Sequence, residues 1–380
     1  MQEEIINLTN AQVCKYRAKS HFLDKRLPLG SLLRVASELG GIQAQVLTAA
    51  HLQLWARVEG LTQAEIEQAL WQEHSLVKIW SLRSTLHLIP REDYFLHVNT
   101  MKNWGLQREQ KLLVKYGLAP EESFKLVAAV VEMLADGPLT RSELAERIGI
   151  VYGPEWQAWI KHNWGGIIKQ AMVMGLTCFG PNRGAETTFV QGNSWLSNPP
   201  IITEELAQVT LLRRYLRRYG PASPADFAFW TGSSTREVMP IWNRLLLNEP
   251  DGLIKVTING KPNWLLRENL TELLAVLEGD LPVRLLPTYD VYVLAHKDKS
   301  QYLDMTYYKR VYREAAIVSA VVLIDGQVAG VWSYIRKSKK LEVRVELFSD
   351  ISPARKDEIE VEAQKLGHFL GLPSELSFNS

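Results

Sequence analysis

What most constrains this chain is a pattern that comes round three times: helix, a break or turn built on glycine or proline, a further one or two helices, then a two-stranded hairpin. In the first round, apolar residues recurring at three and four predict helices over Leu29–Leu39, Leu47–Val58 and Gln63–Glu73. Alternating apolar residues then predict strands over Leu76–Ser81 and Thr85–Ile89, joined tightly through Leu82-Arg83-Ser84 and stopped by Pro90. Three short helices followed by a hairpin describe a winged helix-turn-helix, whose third helix usually enters the major groove of DNA.

The second round opens with a helix over Phe124–Ala135 and a turn at Asp136-Gly137-Pro138-Leu139. Thr140 and Glu143 then have the spacing of a capping box. A third helix is expected over Ile160–Met174. Strands near Leu176–Gly180 and Thr187–Val190 flank Pro181-Asn182-Arg183-Gly184, which puts Arg183 at the tip of a wing. In the third round Glu204–Tyr219 reads as a helix. Ser223 caps a helix whose first residue is Pro224, and Ser234 or Thr235 caps the next, which runs to about Leu247. Strands over Leu253–Ile258 and Pro262–Leu266 surround Asn259-Gly260, a pair that tolerates the positive φ of a two-residue hairpin turn. The period, about one hundred residues, is too long for a solenoid.

After the third round the pattern changes. Val283–Leu286, Ala315–Ile324, Gln327–Ile335 and Leu341–Phe348 read as strands, with Asp325-Gly326 as a tight turn, and Ser352–Leu370 reads as one long acidic helix. The expected fold is therefore α+β and mainly helical: three tandem winged helix-turn-helix modules over 1–120, 121–200 and 201–275, and a small sheet with a long helix over 276–380. No run of residues is long and apolar enough for a membrane span, and Met1-Gln2-Glu3-Glu4 is too acidic for a signal peptide, so a cytoplasmic location is expected. Cys14 and Cys178 have no neighbours at metal-ligand spacing, and neither a disulfide, a metal nor a cofactor is expected.

Bulk charge does not decide for or against nucleic acid. Forty-three Lys and Arg against forty-two Asp and Glu leave a net charge of +1, so DNA binding would depend on local clusters. Three are present: Arg213, Arg214, Arg217 and Arg218; His296, Lys297 and Lys299; and Arg336, Lys337, Lys339 and Lys340.

Common enzyme signatures are missing: there is no phosphate loop, dinucleotide fingerprint, His-Glu-x-x-His or Cys-x-x-Cys. What stands out is Gly40-Gly41-Ile42-Gln43-Ala44-Gln45-Val46, where two glycines end a helix and two glutamines follow. In an extended connection residues two apart point to one side, so both amides could meet one ligand. On a helix they would diverge by about 200°. Read from the residues alone, Gln43 is more readily a helix cap or surface amide and Gln45 a solvent-facing residue, and an amide is no general base near neutral pH.

Several segments together, weak apart, resemble the AlkZ/YcaQ family of DNA glycosylases over nearly the whole chain. They are Gly41-Ile42-Gln43-Ala44-Gln45, Trp80–Leu88, Leu285–Asp290, Leu323–Trp332 and the closing Glu362–Gly371 helix. The resemblance implies a C-shaped arrangement of three winged helices, monofunctional removal of N-alkylated purines and, in some members, unhooking of interstrand crosslinks. It implies that Gln43 and Gln45 are the catalytic pair. The family's commoner Arg-Gly-Thr run stands here as Arg83-Ser84-Thr85.

With that class in mind, Arg83, Ser84, Thr85 and His87 on the first hairpin, Arg183 on the second, and Asp290 and Lys297 are the expected DNA-contacting residues. Asp290 is also the rival for a catalytic carboxylate. The expected partner is double-stranded DNA carrying alkylated bases or crosslinks, bound by a monomer. A non-catalytic DNA-binding protein or regulator, and a protein-interaction scaffold, are the alternative readings.

Overall fold

The computed structural model describes residues 6–161, 166–275 and 279–379. The fold is mixed, helices alternating with small sheets. It divides into two compact units, one formed by residues up to 65 together with those from 212 onward, the other by residues 66–211. No helix among the described residues is long and apolar enough to cross a membrane.

In the 66–211 unit, Leu76–Trp80 pairs antiparallel with Leu86–Pro90. The connection is a single turn at Leu82–Ser84 in which Arg83 and Ser84 both take positive φ, 54° and 60°. A side chain at such a position is disfavoured by about 1 kcal/mol relative to glycine, so Ser84 carries a strain that a glycine would avoid. A second sheet sets Thr188–Gln191 between Leu139–Thr140 and Thr177–Phe179. Thr140 and Glu143 form the expected capping box ahead of the Arg141–Tyr152 helix. The core joins residues from both hairpins to the surrounding helices: Ile79, Ile89, Val130, Leu144, Ile168 and Phe189.

One feature of this unit differs from expectation. A 22-residue helix, Tyr94–Lys115, was not anticipated. Its buried positions include Thr100, Gly105 and Glu109, which dilute the apolar period. Gly105 is needed there, because a Cβ would stand 2.8 Å from Val173. Of the helix expected over Ile160–Met174, Ile160–Lys161 belong to the Pro154–Lys161 helix and Gly166–Val173 are helical, while residues 162–165 lie outside the described residues.

In the other unit, Leu253–Ile258 and Lys261–Leu266 form a hairpin on Asn259 and Gly260, at φ 50° and 73°. Ile6–Leu8 adds in parallel to Leu253–Ile258, Ile6 opposite Val256. Ser223 and Ser234 cap their helices in capping boxes with Asp226 and Glu237.

The C-terminal part is a five-stranded sheet ordered Arg284–Leu286, Ala320–Ile324, Gln327–Arg336, Leu341–Leu347, Ser374–Asn379. Leu341, Val343 and Val345 are buried while Arg344 between them is exposed, the alternation of a sheet with one covered face. The Pro353–Leu370 helix packs on the sheet through Ile359, Ala363 and Leu366, and Gly371 ends it in the left-handed conformation. The strand expected from Ala315 starts at Ala320, because Arg313 N–H donates to Ile317 O and folds Glu314–Ala316 into a turn.

Gly326 meets two demands at once. It completes the Asp325-Gly326 turn at φ 78°, and a Cβ there would stand 2.3 Å from the backbone oxygen of Cys14. Gly326→Ala is expected to destabilise the fold by about 2–4 kcal/mol, combining backbone strain with overpacking. A shift of the urea midpoint measures it; an unchanged midpoint would mean that the turn relaxes freely.

Both cysteines are buried. Cys14 Sγ donates to Gln301 O at 2.9 Å, and burial pushes its thiol up to about 12.

Candidate functional site

The Leu32–Glu38 helix is ended by two successive glycines, Gly40 and Gly41, at φ 63° and 91°. Gly41 N–H donates back to Ala36 O at 2.8 Å and Gly40 N–H to Ser37 O at 3.0 Å, closing the helix end. The chain then runs extended through Ile42–Gln43, bends at Gln45-Val46 and enters the Leu47–Trp55 helix. Gln43 through Gln45 are thus outside any helix, the condition for the two amides to share a ligand. Their surroundings differ: Gln43 is 5% exposed, with buried Ile42 and Ala44 on either side, while Gln45 lies open.

A buried polar network holds the Gln43 backbone. Gln53, fully buried in the Leu47–Trp55 helix, donates from Nε2 to Gln43 O at 2.9 Å and accepts at Oε1 from Val291 N–H at 3.3 Å. Arg57, also fully buried, donates to Gln53 O at 2.9 Å and to His21 O at 3.1 Å. Its guanidinium then clamps Asp290 in a two-point ion pair at 2.7 and 2.9 Å. Asp290 Oδ1, one of the two oxygens held by Arg57, also accepts from Tyr292 N–H at 2.9 Å, capping the short Val291–Leu294 helix. Charge, capping and the backbone of the glutamine segment are therefore tied together through one guanidinium and one amide.

That geometry corrects the expectation for Asp290. It is 0% exposed, and its oxygens are taken by Arg57 and Tyr292, so it presents nothing to DNA or water. His87 is corrected likewise. It is fully buried in its strand, donates from Nδ1 to Thr85 O at 3.1 Å, and is held well below the usual imidazole range by burial and by Arg83. A neutral, enclosed ring offers no charge to phosphate.

Arg83, Ser84 and Thr85 sit half-buried at the first hairpin turn, with Thr85 Oγ1 donating to Leu82 O at 3.0 Å. Arg183 is at its hairpin tip, but its guanidinium folds back onto Glu143 at 2.6 Å and onto Pro138 O. Lys297 is exposed, and its backbone N–H donates to Asp226 at 3.0 Å. Its cluster partners His296 and Lys299 are buried.

The arginines at 213, 217 and 218 are also committed elsewhere. Arg213 meets Glu249 and Glu268, Arg217 meets Glu268 at 2.9 Å, and Arg218 meets Glu38 at 2.9 Å. Among the described residues, no group of three or more His, Cys, Asp or Glu could hold a metal ion.

The sequence profile described as DNA glycosylase AlkZ-like matches residues 36–369, a span that starts just ahead of Gly40 and ends in the long C-terminal helix. The chain belongs to the AlkZ-like family. An interstrand DNA cross-link repair glycosylase of Streptomyces sahachiroi is 29% identical over 331 residues, covering 85% of this chain and 87% of that protein. The solved structure of Streptomyces sahachiroi DNA glycosylase AlkZ is similar with a TM-score of 0.85 and 28% identity, over 98% of this chain and all of that one. The mixed α and β fold described above is therefore that of an AlkZ-like protein.

In this AlkZ-like chain, Gln53 and Arg57 are the residues that sequence reasoning missed. They were legible as polar side chains set inside the apolar run Leu52–Val58, where nothing but an internal partner would justify them.

A further consequence concerns acid. His21, His87 and His296 are fully buried and pushed well below their usual range, chiefly by burial, and burial takes His51 down to about 4. Below about pH 6.5 the unfolded chain takes up protons that these rings cannot accept when folded. Stability is complete above that value and falls with pH, by about 1.4 kcal/mol per pH unit for each ring. Urea unfolding followed from about pH 7 to pH 5.5 is expected to show a steep loss, and a flat profile would contradict it.

Proposed function

We propose that this chain is a monofunctional DNA glycosylase that hydrolyses the N-glycosidic bond of cationic N-alkylated purines, of the N7-alkylguanine type. In this reading, tandem winged-helix modules over 1–120, 121–200 and 201–275 and the sheet-and-helix domain over 276–380 bind double-stranded DNA as a monomer. Because the similar protein of Streptomyces sahachiroi is named for interstrand cross-link repair, crosslinked DNA is proposed as a substrate too.

The observation that carries the substrate class is what surrounds the glutamines. The carboxylate that rivals them, Asp290, is sealed in an ion pair with Arg57, and the motif itself contains amides that cannot take a proton near neutral pH. A reaction run by such a site needs a leaving group that departs unaided. In N7-alkylguanine the base already carries positive charge. The glycosidic electron pair leaves with it, the base departs neutral, and the sugar becomes an oxocarbenium ion. Water then bonds to the anomeric carbon and releases its proton to solvent. The amide oxygens of Gln43 and Gln45 orient that water and face the developing positive charge, their dipoles set in advance of the reaction. The Gln53 bond to Gln43 O supports this role, because a fixed segment needs little reorganisation.

The test is a duplex bearing one N7-methylguanine, incubated with the protein and then treated with alkali to break the strand at abasic sites. Strand breaks above the spontaneous background are expected. Tight DNA binding with no breaks would leave a non-catalytic DNA-binding protein.

A further inference from the structure

The face of the five-stranded sheet that carries Arg344 holds an open cleft of about 450 Å³. Strand register brings Ser333 opposite Arg344 and Val331 opposite Glu346 on this face, and the segment from Lys309 to Arg313 forms another wall. The lining carries four cations, Lys309, Arg310, Arg313 and Arg344, against one carboxylate, Glu346, which is paired with Arg310. Among the described residues Lys309 and Arg313 make no ion pair, and both are exposed. This separates the cleft from the arginines at 213, 217 and 218, whose charge is spent on Glu249, Glu268 and Glu38.

We infer that this cleft, through Lys309 and Arg313, binds a phosphate of the DNA backbone. The inference rests on the proposed DNA reading and adds to it a site outside the glutamine segment and outside the basic clusters visible in the sequence. Unpaired cations beside a serine hydroxyl fit the oxygens of a phosphodiester, which accept and do not donate. An open cleft admits an extended polyanion, where an enclosed pocket would select a small one. Phosphate contacts position the duplex and carry no sequence information, which suits a protein that must engage damage in any sequence context.

The experiment measures the affinity of the full chain for an undamaged duplex by fluorescence anisotropy across a salt series. The proteins compared are wild type, the Lys309→Ala plus Arg313→Ala variant, and the Arg213→Ala plus Arg217→Ala variant as a comparator. Losing one or two phosphate contacts should lower the slope of log affinity against log salt by about 1–2 and weaken binding about tenfold at low salt. The comparator should keep the wild-type slope, and thermal midpoints confirm that each variant is folded. Equal slopes for wild type and the cleft variant would overturn the inference while leaving DNA binding intact. An equal loss in the comparator would reduce it to bulk charge. Saturable binding of free pyrophosphate in the cleft, with no change in DNA affinity, would overturn it in favour of a small ligand. No salt-dependent binding by wild type would overturn both this inference and the DNA reading.

Discussion

Replacing Gln43 and Gln45 together by alanine is expected to slow base loss from an N7-methylguanine duplex by about 10³-fold in single-turnover conditions. Duplex affinity should stay close to wild type. Each amide is asked to orient the same water and face the same developing charge. Each single variant should therefore lose a large part of what the double loses, and the double less than the two single losses combined, since removing one member already disorders the other's task. The two positions should also differ. Gln43 is buried and its backbone is pinned by Gln53, whereas Gln45 is exposed, so Gln43→Ala is expected to be the costlier single change. Retention of more than a tenth of the rate in the double variant would remove the pair from the chemistry.

The largest expected effect on stability lies in the ion pair behind that segment. Asp290→Ala would leave the Arg57 guanidinium fully buried without its counter-charge, and would also remove the cap on Val291–Leu294. A loss of about 3–5 kcal/mol is expected, because breaking a buried pair strands a charge that water cannot reach. Replacing both partners by apolar residues, Arg57→Met with Asp290→Leu, should cost less than Asp290→Ala alone. Urea midpoints measure both variants. A loss below about 1 kcal/mol for Asp290→Ala would mean that the site relaxes enough to hydrate the arginine.

These effects also show which features can be read from residues in order along a chain. Turns and caps could be, because their chemistry is local. Asn259-Gly260 and Asp325-Gly326 take the positive φ that their types allow, and Thr140, Ser223 and Ser234 close capping boxes with residues three positions on. Pairings between distant segments could not. Ile6 lies opposite Val256 in a parallel ladder, and Arg57 meets Asp290 across 233 positions; no local period encodes either.

The Tyr94–Lys115 helix escaped because buried Thr100, Gly105 and Glu109 break its apolar rhythm. From sequence, His87 and Asp290 read as ligands for DNA because titratable residues attract that reading. Burial turned one into a neutral ring and the other into a structural anion. The glutamines were visible only as two amides after a Gly-Gly break, and family resemblance raised them above a surface feature. The structure adds the support beneath Gln43, which neither composition nor motif contained.

The central claim is that an amide-only site depends on a substrate that brings its own positive charge. The most direct measurement compares single-turnover base excision by wild-type protein from two otherwise identical duplexes, one with N7-methylguanine and one with uracil, whose base is neutral. Efficient loss of N7-methylguanine with uracil excised slowly or not at all is the predicted result. Equal rates on the two duplexes would contradict the account, since a neutral base could then leave only with help that Gln43 and Gln45 cannot supply.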